Sequence, residues 1–434
     1  MVEHGWPELP GAADGSDVPA VTDVVTRPVP TVGPVPTVGP VPTVGPVPVT
    51  GPRRLWAGPL DVEGLAVASV RECARAAAEL AAARGTDLAV SVDSQDVAAA
   101  FDSFGHLRLD GRPLQAWAPL SGFFAAADGW VRLHANYPHH RRALLDALHL
   151  DALHLDGGAA DGDERRDPVA RAVARLPAAE VEARVRARGG AAAAVRSERR
   201  WRGLGHGGGP LVAMTAAGPA RVLPATPPPG APLAGVRILD LTRVIAGPTA
   251  TRVLGALGAD VLRVDPPHLP ELPDQHLDTG FAKRSAVADL RDHATAARVE
   301  ELLGTAHAVV AGYRPGALGR LGLDGAALAL RHPRLVVVEL SAWGRGPWAH
   351  ERGFDSLVQA ATGIAERYGT TAPDGAWRPG ALPVQALDHA TGYPAAAAAM
   401  RLLAAAGCGS ASRARRGSSS RARPRRRVRR AIRR

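Results

Sequence analysis

The stretch that decides the fold is Leu233-Ala-Gly-Val-Arg-Ile-Leu-Asp-Leu-Thr-Arg-Val-Ile-Ala-Gly-Pro248. Val236 to Leu241 is mostly apolar, which predicts a strand covered on both faces. A turn follows over Arg243 to Gly247. Pro248 then stands where a helix can begin, because its missing N–H costs nothing in a first turn. That helix is expected over Thr249 to Gly258. Backbone amides at such a turn and at a helix N-terminus form an anion-accepting edge.

Outward from this unit the same alternation repeats. Strands are expected at Asp260 to Asp265, Ser285 to Leu290, His307 to Tyr313 and Leu335 to Ser341. Helices are expected at His293 to Thr305 and at Gly325 to Arg331, with Asp324 as an N-cap. Apolar strands alternating with helices give an α/β fold, a doubly wound, Rossmann-like parallel sheet that binds ligands at the carboxyl ends of its strands. This domain is assigned to residues 233–405.

Residues 55–215 read as a smaller α+β domain that precedes it. Glu63 to Arg84, His139 to Leu150 and Val169 to Gly189 are expected helices, with Pro168 starting the last. Phe124 to Asn136 has strand signals on both sides of Ala127-Asp128-Gly129. The pentapeptide starting at Asp146 is repeated from Asp151, and Asp156 to Asp167 reads as an exposed insertion. Residues 216–232, with Thr226-Pro-Pro-Pro-Gly-Ala-Pro232, are a linker. Residues 1–54 are expected to be disordered around a Gly-Pro-Val-Pro-Thr-Val repeat at Gly33, Gly39 and Gly45, a semi-rigid spacer of polyproline type. Residues 406–434 form an Arg-rich tail, also expected to be disordered. The helical pattern of Thr391 to Leu403 stops there without a cap, and the jump in composition looks like a shifted reading frame.

The 434 residues carry a net charge of +10, but 12 arginines and no acid fall in Arg413 to Arg434, leaving about −2 for the rest. The basic balance therefore belongs to the tail, which alone suits non-specific contact with nucleic acid. Arginine outnumbers lysine 51 to 1, so the one lysine, Lys283, draws notice as a place where an ammonium matters. Cys73 and Cys408 make no disulfide framework and no zinc spacing. No run of 18 apolar residues and no basic-then-apolar leader occurs, so a cytoplasmic protein without a membrane span is expected. No G-x-G-x-x-G follows the first strand and no G-x-x-x-x-G-K-[ST] appears, which removes support for a dinucleotide site or a P-loop. His134, His139 and His140 are read as neutral surface histidines and not as a metal site, because no third ligand type accompanies them.

Further motifs follow in order: Ala282-Lys-Arg-Ser285, Ala288-Asp-Leu-Arg291, Gly312-Tyr-Arg-Pro-Gly-Ala-Leu-Gly-Arg-Leu-Gly-Leu323, Gly353-Phe-Asp-Ser-Leu-Val-Gln359 and Leu387-Asp-His-Ala-Thr-Gly-Tyr393. Together with the opening stretch they resemble the family III CoA-transferases, over Leu233 to about Leu403. Ser121-Gly-Phe-Phe124 and Ala127 to His140 look like that family's smaller C-terminal domain, here placed first, so the order looks permuted or fused. The resemblance implies a CoA-transferase that takes acyl-CoA and a small carboxylic acid as substrates, holds no tightly bound cofactor and forms an interlocked homodimer. Asp388 matches the family's catalytic aspartate, and it is also placed to cap the helix that follows. Asp355 matches a supporting acid, and it also reads as a helix-start aspartate. Arg243, Ile245, Ala246, Leu290, Arg291, Tyr313, Arg320 and Arg352 match CoA contacts, each arginine being equally readable as a solvated charge. Pro266 and Ile245 depart from formyl-CoA transferase, which has a cation and a glutamine there. The chain also ends soon after Asp388, without the family's helix continuation.

Two alternatives stand beside this one. A racemase of 2-methylacyl-CoA shares the fold but has a histidine where this chain has Phe354, which cannot act as a base. A truncated, inactive CoA-binding remnant is the other, separable by thermal melting with and without CoA.

Overall fold

A computed structural model of the chain describes residues 42–150, 162–206, 209–214, 220–224 and 226–418. Its centre is a parallel five-stranded sheet of β4 (Arg237–Leu241), β5 (Asp260–Asp265), β6 (Arg284–Val287), β7 (Ala308–Ala311) and β8 (Val336–Glu339). The spatial order is β6-β5-β4-β7-β8, with every neighbouring pair parallel. The chain therefore leaves β4 first to one side and then to the other. The switch point between β4 and β7 is where such sheets open a crevice at the carboxyl ends of their strands.

Helices α4 (Ala246–Ala256), α5 (His293–Thr305) and α6 (Gly325–Arg331) connect these strands. Asp292 and Asp324 cap α5 and α6 by accepting from Thr295 and from Ala326 and Ala327. On one side of the sheet Leu239, Leu262, Val309 and Leu303 form a core. On the other, Ile238, Val261 and Val310 pack with α4 and with α8 (Ala386–Ser418).

The smaller domain is a three-stranded antiparallel sheet of β1 (Gly122–Ala126), β2 (Gly129–His134) and β3 (Ala191–Ala194), in that order. Helices α2 (Pro138–Ala147) and α3 (Ala178–Ala187) cover it over Phe124, Val131, Leu144 and Val181. The other face of β2 and β3 lies against α7 (Asp355–Thr362).

Several expectations need correcting. The domain boundary at residues 55–215 does not follow the packing. Helix α1 (Val62–Ala83) joins the core of the large sheet and lies along α8, since its Leu65, Ala76 and Leu80 are buried there. Disorder does not extend through residue 54: Val47 is buried, and Val49–Thr50 pairs in parallel with Val92–Asp93. The single helix expected over Val169 to Gly189 is two, Gly162–Val173 and Ala178–Ala187, and Pro168 lies inside the first. Helix α8 starts before Thr391, at Ala386, and runs through Pro394 to Ser418, so the tail is helical over residues 406–418. Most of the proline repeat, the second pentapeptide from Asp151 and residues 419–434 lie outside the described residues. Among the described residues no helix is long and apolar enough to cross a membrane.

Candidate active site

The turn after β4 is built under strain. Val244 has φ 62°, a left-handed conformation that a β-branched residue adopts at a cost of about 1–3 kcal/mol. It is held by Glu271 Oε2, which accepts from the Val244 amide at 2.8 Å. Below the turn, buried Asp240 accepts from the Thr242 amide at 2.9 Å and from the Thr251 hydroxyl. Lys283 completes this anchor. Its Nζ is 3.0 Å from Asp240 Oδ2 and donates to the Pro248 carbonyl at 2.9 Å. Burial lowers the Lys283 pKa to about 8 in spite of Asp240. The one lysine therefore ties the end of β4 to the start of α4.

Arg243 lies within the same foundation. Its side chain is wholly buried, 3.8 Å from Asp265 and 3.6 Å from Glu271, and it donates to the Leu269 carbonyl. Arg263 is 2.8 Å from Asp265 and 3.1 Å from Glu271, and the Tyr137 hydroxyl donates to Glu271 at 2.8 Å. Burial works against the Glu271 charge, but Arg243 and Arg263 outweigh it and hold that carboxyl at about 2. Arg243 is thus a buried ion-network residue joining the two domains, and not the open CoA contact expected of it.

Two cavities open at the carboxyl edge. One, of about 390 Å³, is lined by loops that follow β5, β6, β7 and β8. It gathers Leu290, Arg291, Tyr313, Arg320 and Arg352, five residues singled out from the sequence, and adds Arg314. Arg291 is paired with Asp289 at 2.7 Å and more than half exposed. Pro266 forms part of the same wall.

The other cavity, of about 310 Å³, contains Asp388 and Asp355. Ile245 lines it, whereas Ala246 is buried at the first residue of α4. The helix that carries Asp388 reaches α4 closely at Gly392, where a Cβ would stand 2.5 Å from the Ala246 carbonyl. Asp355 starts α7 and also caps α8: its Oδ2 accepts from the Leu387 amide at 2.9 Å and the Asp388 amide at 3.2 Å. Gln359 donates to its other oxygen, and Gln359 Oε1 in turn accepts from the Leu382 amide at 2.8 Å. The helix-capping role considered for Asp388 therefore belongs to Asp355. Asp388 sits in the first turn of α8, and its Oδ1 is buried with no hydrogen-bond partner.

Burial pushes the Asp355 carboxyl up to about 6, against Gln359 and the two amides. Burial and then the Asp355 charge push Asp388 well above the carboxylate range. Two carboxyls in one dry site cannot readily both ionise. Asp355 has the amide donors, so the proton resides on Asp388.

Two histidines line this cavity. His134, at the end of β2, stacks on Phe354 with centroids 3.6 Å apart, and His389 lies 5.0 Å from the Phe101 ring. Burial, reinforced by Arg132 for His134 and by Arg252 for His389, pushes both down to about 3. His139 and His140 lie beside them with rings 3.9 Å apart. His134 and His140 are buried, not the surface histidines expected. Among the described residues no group of three or more His, Cys, Asp or Glu side chains is arranged to hold a metal ion.

The model of CoA-transferase family III matches residues 233–414. A probable fatty acyl-CoA transferase, Rv3272, of Mycobacterium tuberculosis is 33% identical over 189 residues, covering 40% of this chain and 47% of that protein. The succinate–glutarate CoA-transferase of Agrobacterium fabrum is 32% identical over 163 residues, covering 33% and 40%. A crystal structure of Rv3272 aligns with 38% of this chain and 47% of its own at 36% identity, with a TM-score of 0.34. The chain thus spans less than half the length of these curated relatives. Residues 233–414, the segment that forms the parallel sheet and carries both carboxylates, are what this chain shares with CoA-transferase family III.

Proposed function

We propose that this protein transfers CoA from an acyl-CoA thioester to a free carboxylic acid, with Asp388 as nucleophile. The observation that carries this reading is the buried, unpartnered Asp388 Oδ1 in a cavity where Asp355 already has its donors. The ionised Asp388 attacks the thioester carbonyl, giving a mixed anhydride and CoA thiolate. The thiolate then attacks the aspartyl carbonyl, forming an aspartyl-CoA thioester and releasing the first acid. The acceptor acid runs the two steps in reverse. Splitting one exchange in this way is nucleophilic catalysis. Asp355 is a positioning residue that fixes the first turn of α8, and Gln359 fixes Asp355.

The phosphates of CoA belong in the larger cavity, where arginine forks match phosphate oxygens. Arg320→Ala weakens CoA binding about three- to tenfold, the scale of one partly exposed charged contact. Calorimetric titration at two salt concentrations checks this, and the loss is larger at the lower salt.

The test of the nucleophile is direct. After incubation with acetyl-CoA and acid quenching, the peptide containing Asp388 carries the mass of CoA, and Asp388→Ala carries none. An unlabelled peptide from an enzyme that still exchanges CoA rules this mechanism out.

The racemase reading is disfavoured by the two histidines beside Asp388. A base whose conjugate acid has a pKa near 3 is poorly matched to removing an α-proton at neutral pH. No solvent deuterium is expected at the α-carbon of a 2-methylacyl-CoA. Deuterium entry that depends on Asp388, with no CoA exchange, reverses the choice.

A further inference from the structure

The cavity around Asp388 has a one-sided charge. Asp102, Asp278, Asp355 and Asp388 all line it, and among the described residues neither arginine nor lysine does. Two cations, Arg252 and Arg132, stand close to this cavity without lining it. Arg252 lies behind Asp278, donating to its carbonyl at 3.1 Å and pairing with its carboxylate at 3.5 Å. Arg132 is packed on the rings of Trp117 and Phe123, at 4.6 and 5.0 Å. The remaining wall is apolar or neutral: Phe104, Leu114, Trp117, Ile245 and Val384 line it, and the buried His134 Nδ1 and Ser356 Oγ have no hydrogen-bond partner.

These walls bear on the acid whose acyl group must reach Asp388. A second carboxylate on that acid would be stripped of water beside the Asp278 and Asp355 carboxyls, with no arginine or lysine in the wall to meet it. A buried unpaired charge of this kind is strongly disfavoured. A neutral chain meets apolar surface, and a keto or hydroxyl group on it meets His134 and Ser356. At about 310 Å³ the space lies at the small end of ligand cavities, commonly about 300–1,000 Å³. We infer that the acids exchanged here are short monocarboxylic acids with uncharged chains, and that dicarboxylic acids are rejected. This rests on the transferase reading and goes further, because one similar protein is named for dicarboxylic acids and another for fatty acyl groups.

The experiment uses the full chain with acetyl-CoA as donor and isotope-labelled acids as acceptors: propionate, butyrate and 2-oxobutyrate against oxalate, succinate and glutarate. Formation of the CoA adduct on the Asp388 peptide is read in parallel. The monocarboxylic acids are expected to exceed the dicarboxylic acids in kcat/KM by about a hundredfold or more. Leu114→Arg, which puts a cation in the wall, is expected to raise succinate at least severalfold relative to butyrate. Equal or better use of succinate by the parent protein, with the adduct formed, overturns the inference and leaves the transferase standing. An unchanged succinate-to-butyrate ratio in Leu114→Arg overturns its electrostatic basis. Failure of every acid, with no adduct, overturns both.

Discussion

Asp388→Asn abolishes CoA exchange and raises the melting temperature at pH 7. The loss of rate is expected to be about four to six orders of magnitude, as for removal of other catalytic nucleophiles or their partners. CoA binding should stay within a few fold, because the proposed phosphate site is the other cavity. The stability change has the opposite sign and a definite pH dependence. Asp388 is held well above the carboxylate range by burial and then by Asp355. Its folded pKa therefore exceeds its unfolded pKa. Between those two values the folded state holds a proton that the unfolded state has lost, and stability falls as pH rises. Asparagine has the same shape and no such proton. Its advantage is thus absent below about pH 4, where both forms of the aspartate are neutral, and it grows towards pH 7 and above. Thermal melts of both proteins from pH 4 to 8 check this. A gap that does not change with pH would show that Asp388 is not a proton-holding buried carboxyl. The same shift makes exchange by the parent protein rise with pH, because only the ionised carboxylate attacks.

The parallel sheet was legible in the sequence because buried strands are apolar runs and their helices end in capping residues. Asp260–Asp265 and His293–Thr305 are where the pattern puts them, and Asp324 caps α6 as its position suggested. The edge strand was less clear: β6 begins at Arg284 and ends at Val287 because its outer side has no partner to prolong the ladder. Family likeness located the two aspartates and most of the arginines of the larger cavity. It could not separate Arg243 from them, since its burial depends on Asp265, Glu271 and Tyr137 arriving from three other segments. His134 was hidden for a similar reason. Its place is set by a stack on Phe354, more than 200 residues further on. The alliance of α1 with α8 was also invisible, because alanine-rich helices pack against many partners and nothing local names the right one.

That alliance gives the largest expected effect on stability. Arg401 is wholly buried on α8, and its guanidinium meets two carboxylates of α1: Glu72, and Glu79 at 2.6 Å. These pairs span 329 and 322 residues of sequence. Around them Ala76, Ala77 and Leu80 of α1 and Ala397 and Met400 of α8 are buried in one core. Small side chains let the two helices come close, and that leaves little room for water at the triad. Arg401→Ala removes the buried cation from between two buried carboxylates, of which Glu79 keeps the half-exposed Arg75 at 3.0 Å. Breaking a buried pair in this way costs about 3–5 kcal/mol. Against a total of about 5–15 kcal/mol for a whole protein, that is enough to unfold much of the population at 37 °C. Denaturant unfolding of the two proteins measures the difference. The decisive control is Arg401→Met combined with Glu72→Leu and Glu79→Met, which removes all three charges and keeps the volume filled. Uniform apolar replacement of a buried triad is often neutral or stabilising, so most of the loss should return. A single Arg401→Ala that costs less than about 1 kcal/mol would mean that water reaches the triad and that the two helices do not clamp. Because Asp388 lies on the same helix as Arg401, between three and four turns earlier, helix α1 also supports the helix that carries the proposed nucleophile.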